Sequence, residues 1–140
     1  MDKQRAHLVR DTWLLITPRA DEIAAAFYAQ LFELDPEARQ MFAHVDMTAQ
    51  GKKFLAMIGT LIQLLEDPAD IVIETIPAAR RHATYGVTSD HLDTGREALM
   101  RTLDSILGDA FPPAARQAWA ELYDLAAAVM RRASQAPAAT

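Results

Sequence analysis

The sequence of 140 residues contains no cysteine. Disulfides, thiolate metal sites, iron–sulfur clusters and cysteine nucleophiles are therefore excluded. Glycine and proline number only five and seven, too few for a loop-rich or low-complexity chain. Positive charge is in deficit: 14 Lys and Arg face 19 Asp and Glu, for a net charge of −5. That balance lacks the electrostatic footprint of a general nucleic-acid binder. The basic pairs Lys52-Lys53, Arg80-Arg81 and Arg131-Arg132 fall in separate segments, and each suits a solvated helix face better than a recognition helix. Long hydrophobic runs are missing too. The strongly apolar stretch around Phe54–Leu65 is too short to span a bilayer. The opening MDKQRAHLVRDTW has no apolar core of a secretory signal. The expectation is a cytoplasmic protein with neither a membrane nor a nucleic-acid partner. Phosphate-binding loops, G-x-G-x-x-G and G-x-S-x-G are all absent. Among the four histidines, no two stand three or four residues apart, and none follows a carboxylate by three. This removes a helical metal pair and a ferritin-like di-iron site.

What is present is helical. Hydrophobic residues make up 51% and charged residues 24%, and 27 residues are alanine, the best helix former. The length suits one domain, expected over residues 1–134 with a short disordered tail at 135–140. A first helix ends at Thr17-Pro18. A second covers about Arg19 to Leu34, with Ile23, Ala26, Phe27, Gln30, Leu31 and Leu34 in helical rhythm. Asp35-Pro36 opens a short helix, with Asp35 as N-cap, that ends near Met41-Phe42. A loop at 43–47 precedes a helix to about Leu65. The next helix, about Asp70–Ala83, contains Pro77 and is predicted to be irregular. Tyr85-Gly86-Val87 is a corner. Ser89 or Asp90 can cap a helix that runs to Leu107 and stops at Gly108. Pro112-Pro113 opens the last helix, which ends near Arg132. No strand and no repeat is apparent. Six long or medium helices and one short one, one of them holding a proline, point to an irregular all-α fold rather than an up-down bundle.

His82 stands near the end of the proline-containing helix, in ARRHATYGV. On its own it reads first as a C-terminal histidine helped by the macrodipole, and only second as a metal ligand. The wider sequence adds a resemblance. RRHATYGV, followed by SDHL and later by LGDAFPPAARQAWAELY, resembles the proximal half of a globin. AAAFYAQLFELDPEARQMF and AQGKKFLAMI resemble the second, third and distal helices of bacterial single-domain globins, of flavohaemoglobin haem domains and of neuroglobin. The resemblance covers about Leu8 to Arg132. It implies a globin fold, with six to seven helices in a 3-over-3 sandwich around haem b (iron protoporphyrin IX).

The same resemblance assigns roles. His82 would be the iron ligand through Nε2, with Nδ1–H donated to a carbonyl one turn back, Ala78 for choice. Phe42 matches the ring that stacks on the porphyrin edge; alternatively it is core at a helix end. Val87 matches an apolar residue on the proximal face, or is ordinary corner packing. Tyr28 matches a distal tyrosine, or is a partly buried tyrosine with its hydroxyl at the surface. Gln50, 32 residues before His82, matches the distal-pocket residue. Lys53 competes for that place, but choosing it would turn Phe54 and Ile58 off the apolar face. With Gln50 inward, Lys53 would reach the pocket mouth and a haem propionate, or lie solvated. Phe54 would form the distal wall, or plain core. An open sixth position implies O2, CO and NO as ligands, for storage, delivery or scavenging. The alternatives are a nitric-oxide dioxygenase served by a separate reductase, or a gas sensor. Flavohaemoglobins back their histidine with a Tyr and a Glu. Those positions fall at Leu92 and near Ser134 here, which weakens the dioxygenase reading.

Overall fold

Short polar side chains set where several of the helices begin. The computed structural model of the protein describes residues 1–135, without the side chains of Pro68 and of residues 133–135. Helix α1 spans Lys3–Ile16, and Asp2 caps it by accepting the Arg5 backbone N–H at 2.8 Å. A 3-10 turn, Thr17–Arg19, absorbs Pro18 and leads into α2, Ala20–Leu34. A longer 3-10 segment, Pro36–Phe42, follows. Asp46 then opens α3, Met47–Gln63, accepting the N–H groups of Thr48 and Ala49. Helix α4 is Pro68–Thr84, α5 is Ser89–Leu107 and α6 is Pro113–Gln135.

The local differences from expectation each have a physical reason. Helix α4 runs unbroken through Pro77. The proline leaves the Ile73 carbonyl without its helical donor, but both residues are exposed, so the loss falls on the solvent side of the helix and not in the core. Thr88, rather than Ser89 or Asp90, caps α5, because its hydroxyl accepts the His91 N–H. Asp35 does stand at the N-cap of the 3-10 segment, but its side chain makes no capping bond there. The last helix continues to Gln135 rather than ending near Arg132. Of the expected tail, residues 136–140 lie outside the described residues. The corner and the stop occur as expected: Gly86 and Gly108 take φ of 82° and 54°, where a side chain would strain the backbone.

The six helices form an irregular all-α fold, with no strand among the described residues. Helix α2 packs on α3 and α5, and α6 packs on α1, α4 and α5. The core runs through these contacts, with Val9, Ile16, Ile23, Leu65, Ile71, Met100, Leu103 and Trp119 almost wholly buried. By contrast, α3 and α4 scarcely touch, and α4 leans chiefly on α6. Among the described residues no helix is long and apolar enough to cross a membrane.

Candidate functional site

The site begins with a glycine that lets two helices approach. A Cβ placed on Gly51 of α3 would lie 2.9 Å from Ala24 Cβ of α2, so the crossing tolerates no side chain on the α3 side. One residue from that contact on α3, and one helical turn from it on α2, Gln50 meets Tyr28. The Gln50 amide donates to the Tyr28 hydroxyl at 3.1 Å. Tyr28 is buried. Burial raises the pKa of its phenol, and the Gln50 bond offsets this only in part, so the group stays protonated through the neutral range. Its own proton has no acceptor among the described residues.

Four phenylalanines surround this hydroxyl. The rings of Phe27, Phe42 and Phe54 meet Tyr28 edge-on at 5.0, 5.5 and 6.0 Å, and Phe32 lies 6.1 Å away. Phe27 and Phe54 also pack together at 4.2 Å. The result is a partly buried aromatic wall carrying one hydroxyl and one amide.

His82 belongs to the other side of the gap, on α4. Its Nδ1 lies 2.7 Å from the Ala78 carbonyl. A carbonyl only accepts, so Nδ1 carries the proton and Nε2 keeps its lone pair free for a metal. The corner is tied to the same residue, because Val87 N–H donates to the His82 carbonyl at 3.0 Å. Between α3 and α4 an open cleft of about 420 Å³ is lined by Lys53, Ala56, Met57, Thr60 and Arg81. Neither Lys53 nor Arg81 has a carboxylate within ion-pair distance among the described residues, as is true also of Lys3, Arg39, Lys52, Arg80 and Arg132, whereas arginines 5, 10, 19, 96, 101, 116 and 131 each do.

The structure thus brings Tyr28, Gln50, Phe42 and Phe54 into contact. It sets Lys53 at the cleft and places His82 and Val87 on the facing segment, outside the aromatic cluster. Sequence reasoning missed Gly51 and Arg81. Gly51 carried a usable signal, since a glycine inside a helix costs about 1 kcal/mol against alanine and so marks a close approach. Arg81 carried none beyond its place in a basic pair. The site suits a flat, metal-bearing cofactor. It offers one imidazole nitrogen, an apolar wall and two unpaired cations. Among the described residues no three His, Asp or Glu side chains converge to hold a free ion.

Comparison with known proteins agrees. Residues 25–130 match the family described as Globin. An anaerobic nitrite reductase of Solanum lycopersicum is 28% identical over 152 aligned positions, covering 99% of this chain and 97% of that protein. A second anaerobic nitrite reductase, from Brassica napus, is 29% identical, over 88% of this chain and 84% of the relative. A flavohemoprotein of Rhodopirellula baltica is 24% identical over 88% of this chain, which spans 31% of that protein's length.

Proposed function

The chain belongs to the globin family, and we propose that residues 1–134 are one domain that holds haem b and reversibly binds O2, CO or NO for storage, delivery or scavenging. The Tyr28–Gln50 pair carries this reading. Haem supplies, when bound, a ferrous iron with one face open to a diatomic ligand. His82 would hold that iron through Nε2, kept in the right tautomer by Ala78. Phe42, Phe54 and Val87 would pack on the ring, and Lys53 would face its carboxylates. Gln50 donates to the Tyr28 oxygen, which leaves the phenolic proton to point at a ligand that draws negative charge. In a dry aromatic pocket such a neutral donor strengthens binding without supplying acid.

An absorption spectrum of the purified protein tests this. The expected result is a Soret band that shifts with CO after reduction, is lost in His82→Ala and returns with added imidazole. A protein that takes up no haem overturns the reading.

A second reading is favoured by the unpaired cations and by the names of the plant relatives: reduction of nitrite. Each nitrite would take one electron and two protons and release NO and water, with a separate reductase as electron donor. Lys53 and Arg81 would draw the anion to the cleft. NO formed from nitrite by the reduced protein without oxygen supports it. Nitrate formed from NO by the oxygenated protein would instead indicate a dioxygenase, despite Leu92 replacing the backing tyrosine.

A further inference from the structure

Asp35 occupies a capping position without capping anything. It ends α2 and precedes Pro36, yet its side chain accepts no backbone N–H of the 3-10 segment. Its Oδ2 lies instead 3.7 Å from Nε2 of His91, in the first turn of α5. Nδ1 of the same ring accepts the Thr88 backbone N–H at 2.9 Å, while Thr88 Oγ1 accepts the His91 N–H at 3.4 Å. This is a capping box with histidine where Glu or Gln usually stands.

An imidazole fills that place in one state only. Accepting at Nδ1 requires the neutral ring with its proton on Nε2, the nitrogen that faces Asp35. Once the ring is protonated, Nδ1 bears a hydrogen and the Thr88 N–H loses its acceptor. Thr88 Oγ1, 3.2 Å from Nδ1, is the nearest acceptor for the new proton, and taking it competes with the His91 N–H. A positive ring also opposes the macrodipole at a helix start. Asp35, from the end of α2, acts the other way by gaining an ion pair. Other charges on the same turn are Asp90 and Asp93 of α5, and Arg131 of α6 reaches Ser89 and Asp93.

We infer that Asp35, His91 and Thr88 form a proton-sensitive tie between the end of α2, the helix that carries Tyr28, and the corner 85–88 that follows His82. With the ring neutral, the first turn of α5 is closed by both bonds of the box. With the ring charged, the box opens at Thr88 and the contact with Asp35 tightens. The tie needs nothing in the cleft, so it stands or falls separately from the proposed cofactor.

Amide hydrogen exchange on the full chain as purified tests it, corrected for the intrinsic pH dependence of exchange. Between pH 8 and pH 5, protection of the Thr88 amide falls about fivefold, the scale of a lost cap. In His91→Gln, which keeps an acceptor that does not titrate, protection stays constant over that range. Thr88 protection that is independent of pH in the parent protein, or that falls equally in His91→Gln, overturns the proposal.

Discussion

The Tyr28 hydroxyl accepts one proton from Gln50 and keeps its own, on a buried residue whose ring packs against four phenylalanines. Replacing it by Phe keeps the ring and removes only that donor. On the proposed reading, Tyr28→Phe speeds O2 dissociation about ten- to a hundredfold, the scale of a hydrogen bond to a charged acceptor. Stopped-flow displacement by CO measures it, and an unchanged rate removes Tyr28 from the pocket. The two residues were legible in the sequence because the family likeness marked Tyr28, which helical spacing alone left undecided, and because the register that keeps Phe54, Leu55, Ile58 and Ile62 inward turns Gln50 with them. Their mutual bond was not legible, since it depends on how closely two helices cross. The His91 contact with Asp35 was also invisible, because 56 residues separate the partners.

The crossing of α2 and α3 places those two side chains. Its tolerance is small: an alanine at 51 would meet Ala24 Cβ at 2.9 Å, a distance that real Cβ atoms do not adopt. Gly51→Ala therefore destabilises the protein by about 1–3 kcal/mol through overpacking, although alanine gains about 1 kcal/mol in helix propensity. Adding Ala24→Gly removes the opposing methyl and restores most of the loss. Urea unfolding of the single and double variants measures both effects, and a double variant no more stable than Gly51→Ala would show that the contact is not the cause. At this scale most helix spans followed from apolar rhythm, and the ends followed from Asp, Gly and Pro. The continuity of α4 through Pro77 did not, because whether a missing N–H breaks a helix depends on whether the orphaned carbonyl faces solvent.

For the molecule as a whole, two buried phenols couple stability to alkaline pH. Tyr28 and Tyr123 both have pKa values raised chiefly by burial. Tyr123 donates to the Leu92 carbonyl at 2.7 Å, in a notch that Gly95 leaves open. Above about pH 10, the unfolded chain releases phenolic protons that the folded chain retains. The folded state then binds more protons than the unfolded one, so stability falls as pH rises. Between pH 9 and pH 11 the urea midpoint drops, and it drops less in Tyr123→Phe. Equal drops in the two proteins would exclude Tyr123 as a source. The all-α class and the family likeness were readable before any coordinates, since alanine content and ordered motifs set them. Which helices part to leave a gap was not. That gap has one more consequence. Helix α4 is held chiefly by α6 and scarcely touches α3, so the width of the gap is set by the α4–α6 seam and not by any α3–α4 packing. On the proposed reading, a flat guest would enter that gap without first breaking an α3–α4 interface, and no such interface would count against its binding.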